Sequence, residues 1–270
     1  MSGRNAAVGS SNSSSSYRER NSTADRALDI LGMFSAEQPV ISGAEVAARL
    51  GVARSTGYRY LQSLVANRYL EEAPGGGFRL GLRILELARL ARRTYGLSEV
   101  AGPVLIELAA VVHETVLLTR RVGDLVVCLD RAESETHRAR ISYERGSTLP
   151  VNAGASALVL LAWTEPAEAR AVLESTPLRR FTSATLTEVE PLMDRLARIR
   201  EAGYSLSRAE LDDDVLGVAA PIRDDSGQVI AAVSVAAVAS RVSAEFEQEI
   251  IQRVRAAAEQ ISERRALIEG

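Results

Sequence analysis

The stretch Ser42 to Leu64, SGAEVAARLGVARSTGYRYLQSL, decides the fold of the first part of the chain. Ser42 and Glu45 form a Ser-x-x-Glu capping box, in which hydroxyl and carboxylate reciprocally satisfy free helix amides. Val46, Ala47 and Leu50 follow at helical spacing, which predicts a short helix starting at Gly43. It stops at Gly51, the residue that most easily supplies the positive φ of a tight turn. A second helix begins near Arg54. At roughly 100° per residue it carries Gly57, Leu61, Leu64 and Val65 on one side, and Ser55, Thr56, Arg59, Gln62 and Ser63 on the other. Two short helices joined by a glycine turn, the second presenting hydroxyls and arginine, form a helix-turn-helix whose second helix can enter a DNA major groove. Arg54 and Arg59 suit guanine edges or phosphates, and Ser55 and Thr56 are short enough for close approach to the backbone. Tyr58, Gln62 and Ser42 complete the candidate DNA-contacting set on these helices, and Gly57 has no side chain to hold them apart.

Working outward, Tyr69 to Glu72 and Phe78 to Leu80 read as short strands around Ala73-Pro74-Gly75-Gly76-Gly77, a wing whose one basic residue, Arg79, is a further candidate. Upstream, Ala27, Ile30, Leu31 and Phe34 share one helical face from Ser22 until Gln38 and Pro39 end the run. Residues 1–21 hold seven serines and almost nothing apolar, so a disordered tail is expected, with Arg18 and Arg20 near DNA backbone. The charge divides in the same place. Up to Ser98 there are 13 arginines against 8 acids, a net +5; from Glu99 on there are 19 against 27, a net −8. A basic first third joined to an acidic remainder points to a polyanion partner for the first part alone. The chain has no lysine, so arginine is its only cationic side chain for such contacts.

At 270 residues, 46% apolar and 25% charged, the chain is long enough for two domains. No window approaches the roughly 18 uninterrupted apolar residues of a membrane span, and the N-terminus is polar where a signal peptide would be apolar, so a cytoplasmic protein without a membrane partner is expected. A single cysteine, Cys128, excludes an internal disulfide framework. With only His113 and His137 available, no metal site is expected.

Leu82 to Tyr95 is a helical run whose apolar residues exceed one narrow stripe, a connector with a face for a second chain. Beyond it, a helix over 99–114 precedes strands at 115–121 and 125–131, turning at Gly123-Asp124, and another near Ala139 to Tyr143. A Gly146–Pro150 loop leads to a helix over 153–162 with almost no polar atoms. Pro166 opens another helix, and a further one over 187–202 is closed by Gly203. Strands near 204–209, 216–223 and 229–238 follow, the last two turning at Asp224-Asp225-Ser226-Gly227, and a long helix starts near Ala244. Strands interleaved with helices and ending in an antiparallel pair make an α+β layout. A pocket is expected between the sheet and the buried helix.

The run Val46 to Thr56, then Arg59-Tyr60-Leu61, Leu64 and Phe78-Arg79-Leu80-Gly81, resembles the winged helix of the IclR family of bacterial transcriptional regulators. Gly203-Tyr204, Glu210, Val218-Ala-Ala-Pro-Ile222, Asp225-Ser-Gly227 and Val233-Ser-Val235 resemble the effector-domain signature of the same family, so the likeness spans residues 22–265. The resemblance implies a tail over 1–21, a winged helix-turn-helix domain over 22–81, a linker and dimerisation helix over 82–98, and a GAF-like, antiparallel-sheet effector-binding domain over 99–267. It also implies a ligand-responsive regulator, by default a repressor, that binds palindromic operator DNA as a dimer or tetramer and takes a small organic metabolite. The candidates for that pocket are Leu149, Ala153, Gly154, Glu210, Asp212 and Ser234. The chain departs from the family pattern at Asp214, where glycine is usual, and at Gly154, Ala157 and Leu158, where threonine and a Gly-Lys pair are usual.

Catalysis finds no support. The chain has no Gly-x-Ser-x-Gly elbow and no phosphate-binding glycine loop; Cys128 falls in an apolar strand, where a thiol is inert. Asp212, Asp213 and Asp214 alternate direction in an extended chain and lack further ligands nearby in sequence. No cofactor and no catalytic residue are expected. A sensor acting through protein contacts is the other alternative, and the intact Arg54, Ser55, Thr56 and Arg59 argue against it.

Overall fold

The computed structural model describes residues 22–35, 37–134 and 143–269. The expected tail with Arg18 and Arg20, His137 and nearly all of the strand expected near Ala139 to Tyr143 lie outside them. The chain divides into two compact units near Ala91 and Arg92.

The first unit runs α1 (Ser22–Leu31), α2 (Gly43–Leu50), α3 (Arg54–Ala66), β1 (Leu70–Glu72), β2 (Phe78–Leu80) and most of α4 (Leu82–Tyr95). The capping box forms as its chemistry requires: Ser42 Oγ accepts the Glu45 amide at 3.2 Å while a Glu45 carboxylate oxygen accepts the Ser42 amide at 2.7 Å. These bonds, the backbone one foremost, hold the Glu45 carboxyl below its ordinary value. Gly51 closes α2 in the left-handed region at φ 64. α1 is shorter than its apolar face predicts, because Gly32 leaves the helix, yet Phe34 still packs on the core. That core is Ile30, Ile41, Val46, Leu61, Leu64, Leu70 and Phe78. Gly57 lies over Ala47, and a Cβ there would reach the Ala47 backbone at 3.4 Å. Gly57→Val is therefore expected to force α2 and α3 apart and cost about 1–3 kcal/mol, measurable by urea unfolding.

The second unit holds α5 (Leu97–Val112), β3 (Thr115–Val122), β4 (Leu125–Ala132), β5 (Thr148–Leu149), α6 (Ala155–Ala162), α7 (Pro166–Ser175), α8 (Val189–Ala202), β6 (Ser205–Arg208), β7 (Val215–Arg223), β8 (Val229–Val238) and α9 (Ala244–Glu269). Gly96, at φ 58, separates α4 from α5, which starts two residues before the expected border at Glu99. The expected loop at 146–150 contains a short edge strand, with Leu149 opposite Val126 and Thr148 opposite Val127.

The six strands form one antiparallel sheet in the order β5-β4-β3-β8-β7-β6. Side chains alternate across it, so each face has its own core. Val116, Leu118, Leu216, Val218, Val233 and Val235 pack on α5 and α9, whereas Val126, Leu149, Ala219 and Ala232 pack on α6, α7 and α8. Every residue of α6 is buried, as expected of a helix with almost no polar atoms. The hairpin at 224–227 is held by Asp224, whose carboxylate accepts the Ser226 and Gln228 amides. Asp214, one of the departures from the family pattern, accepts the Ser240 amide and hydroxyl at 3.0 and 2.9 Å, and so holds a short 3₁₀ turn at 239–241.

Candidate nucleic-acid interface and ligand pocket

α3 presents the face the sequence predicts. Arg54, Ser55, Tyr58, Arg59, Gln62 and Ser63 are exposed, Thr56 is half-buried, and Gly57, Leu61 and Leu64 face the core. Among the described residues no carboxylate pairs with Arg54 or Arg59, so both guanidinium groups keep their donors for a phosphate or a guanine edge. Tyr58 has a structural contact as well: its ring meets Phe78 edge-on at 5.7 Å and covers Gly43, tying α3 to the wing and to the start of α2. Ser42 has its hydroxyl in the capping box. Arg79 faces Glu71 across the wing and donates to it at 2.6 Å, a cross-strand ion pair that offsets its charge. Sequence order alone shows Arg79 as the wing's one base; only the register shows that Glu71 stands opposite.

In the second unit a pocket opens between the sheet and the start of α6, with about 440 Å³ of empty space including its mouth. Of the expected residues, Leu149, Gly154 and Ser234 line it. Ala153 is fully buried one residue outside the lining, and Asp212 is exposed beyond it. Asp212 is still felt there, because burial foremost, and then the Asp212 charge, push the Tyr143 hydroxyl up to about 12. Glu210 lies outside the lining but bonds two residues of it, Gly154 and Ser207. One oxygen accepts the Gly154 amide at 3.1 Å, and the other meets Arg195 at 3.2 Å. Burial raises the Glu210 carboxyl above its ordinary value, against the lowering effect of the Gly154 amide and Arg195. Arg195 also donates to the Leu206 carbonyl.

Glu210→Ala would leave Arg195 and the Gly154 amide without that partner. It is expected to destabilise the second unit by about 2 kcal/mol, below the range for a fully buried pair because Arg195 retains some solvent; thermal unfolding of Glu210→Ala beside Glu210→Gln tests this. Gly154 itself is required: at φ 86 an added Cβ would lie 2.7 Å from a Leu211 methyl carbon.

The lining also includes residues not foreseen. Ser156 stands on α6 and donates to Ser234 at 2.8 Å, with Tyr143, Ser207, Leu117 and Gly217 around them. A lone hydroxyl in the apolar run of α6 was the available signal for Ser156. Among the described residues no group of three metal-ligating side chains converges, and no helix is long and apolar enough to cross a membrane. Cys128 is fully buried on β4, where desolvation foremost pushes its thiol up to about 11. It should resist a disulfide reagent at pH 8 until the protein is unfolded, and prompt labelling of folded protein would refute this.

A family model described as the IclR helix-turn-helix domain matches residues 23–74, and one described as bacterial transcriptional regulator IclR C-terminal matches 91–263. The chain belongs to the IclR family. It is 33% identical over 234 residues to the HTH-type transcriptional regulator XynR of Escherichia coli, spanning 84% of this chain and 92% of that protein. It is 29% identical to the transcriptional repressor AllR of Salmonella typhi, over 81% of this chain and 80% of AllR. The crystal structure of an IclR homolog complexed with 4-hydroxybenzoate, from Microbacterium hydrocarbonoxydans, matches with a TM-score of 0.77 at 28% identity, covering 90% of this chain and 98% of that one. XynR and AllR are named as transcriptional regulators, not enzymes. The IclR-family chain is thus a transcriptional regulator with a helix-turn-helix DNA-binding domain, and its fold is α+β.

Proposed function

We propose that the chain is a cytoplasmic repressor that binds a palindromic operator as a dimer or a dimer of dimers, and that a small organic metabolite in the second unit changes its DNA affinity. The observation that carries this reading is the open face of α3, where Arg54 and Arg59 flank short hydroxyls with no carboxylate paired to either among the described residues. Arg54, Ser55, Thr56, Arg59 and Gln62 read the major groove, with Tyr58 and Ser42 at its edge and Arg79 reaching backbone from the wing. The domain borders are 22–81, 82–98 and 99–267, with the tail at 1–21. Leu82 and Leu85 of α4 are 67% and 65% exposed, which favours a helix that a second copy covers. Leu149, Ala153, Gly154, Glu210, Asp212 and Ser234 form or support the metabolite site, a small organic ligand being what the Microbacterium homolog holds. Repression accords with the named function of AllR. A metabolite that prefers one dimer geometry shifts recognition-helix spacing, and DNA affinity changes by the same coupling, typically about 1–3 kcal/mol.

Fluorescence anisotropy on the protein's own upstream DNA, with scrambled competitor and increasing salt, tests the reading. Sequence-selective binding with a steep negative salt slope is expected. Equal binding to scrambled DNA on every fragment tried, by genome-wide footprinting as well, would favour a sensor that acts through protein contacts.

A further inference from the structure

On α3, Ser55, Tyr58, Arg59 and Gln62 stand at i, i+3, i+4 and i+7, and all four are exposed. That is the spacing at which one face of a helix lying in the major groove brings side chains to base edges. The four differ in what they have left to offer. Ser55 is short, and Tyr58 has its ring against Phe78 and Gly43, which holds it toward the wing. Arg59 and Gln62 are the two long polar side chains of the set, and among the described residues neither has a hydrogen-bond partner. Beyond Gln62 the same face continues with Ala66, exposed and small, which leaves room for the helix to lie close.

Hydrogen-bond chemistry then assigns the base. In the major groove adenine presents one acceptor, N7, and one donor, its N6 amino group, whereas guanine presents two acceptors. A primary amide carries a carbonyl acceptor beside an NH2 donor and so matches adenine in two bonds. A guanidinium carries donors alone and matches guanine. Gln62 follows Arg59 by three residues, about 4.5 Å along the helix axis, close to the roughly 3.4 Å between successive base pairs.

We propose that Gln62 is the residue by which this protein selects adenine, in the base pair next to the one that Arg59 reaches. This rests on the reading of α3 as the groove helix, and it assigns one base of the operator to one side chain. Gln62 is exposed and bonds to no other described residue, so its replacement tests recognition without disturbing the core.

Sequencing of the duplexes that the full chain selects from a random library, with non-specific competitor present, followed by anisotropy on the selected site and its single-base variants, tests the assignment. The unaltered protein is expected to prefer adenine at one base pair by about tenfold or more over each other base. Gln62→Ala should reduce that preference to within about twofold and leave the other positions as they were. Gln62→Lys, which offers donors alone, should turn the preference at the same pair from adenine to guanine, a change that no structural role of Gln62 would produce. An adenine preference that persists in Gln62→Ala overturns the assignment, and so does an equal loss on every sequence, which marks a backbone contact. Preferences that change in Arg59→Lys but in neither Gln62 variant leave α3 in the groove and remove Gln62 alone. If the unaltered protein enriches no sequence, or if neither Arg59→Lys nor Gln62→Ala alters any preference, the reading of α3 falls and the assignment falls with it.

Discussion

Arg59→Ala is expected to abolish operator binding while leaving the fold and the melting temperature unchanged. Arg59 stands mid-way along α3 on its exposed face, with no ion pair to lose among the described residues, so truncation opens no cavity and strands no partner. A bidentate arginine–guanine contact is worth about 1–3 kcal/mol of discrimination, and the proposed two-fold symmetric dimer would lose it twice. Specific affinity should fall by about 100-fold or more. Anisotropy on operator and scrambled DNA separates the roles: loss on both with a shallower salt slope marks a phosphate contact, and selective loss on the operator marks a base contact. Retained specific binding would show that α3 does not read the groove.

Gly81→Ala is expected to unfold the DNA-binding unit. A Cβ at Gly81 would lie 2.3 Å from the Arg68 carbonyl oxygen and 3.1 Å from the Leu70 carbonyl carbon. Both neighbours are backbone, so no side-chain rotation relieves the overlap. Gly81 also donates its amide to the Tyr69 carbonyl at 2.8 Å, and Arg83 donates to Arg68, so the segment cannot simply swing away. The cost should be about 3 kcal/mol or more, a large share of the stability of a unit of roughly 60 residues. Gly75→Ala is the control, since an added Cβ there meets nothing within 4 Å. Urea unfolding should show Gly75→Ala within about 0.5 kcal/mol of the parent and Gly81→Ala with its first unit lost, together with DNA binding. A Gly81→Ala protein as stable as Gly75→Ala would refute the close approach.

Most elements were legible because the signals that start and stop them are local. The capping box of Ser42 and Glu45, the left-handed Gly51 and Gly203, and the Asp224 turn each complete their hydrogen bonds within a few residues. The face of α3 follows from helical periodicity alone, which is why Arg54, Arg59 and Gln62 were found beside Leu61 and Leu64 on the opposite side. The early end of α1 was less legible, since Phe34 keeps the spacing of a helical core residue after Gly32 has ended the helix. The strand at Thr148–Leu149 was hidden because two residues have no periodicity to read; pairing with β4 makes it a strand.

The sequence by itself determined the order of elements, the division into a basic first part and an acidic second one, and the side of α3 that faces outward. Caps, turns and periodic faces depend on residues within about one helical turn of each other, and the chain states them directly. Tertiary structure alone decided which polar groups meet. Glu210 reaches the Gly154 amide across 56 positions, Ser156 reaches Ser234 across 78, and Arg79 is matched to Glu71 by the register of the wing. Such pairings follow from strand order and from the packing of α6 on the sheet, and no local rule couples residues so far apart. The outer face of the reader was therefore legible in the sequence, whereas the chemistry of the pocket became so only once the sheet had brought its walls together.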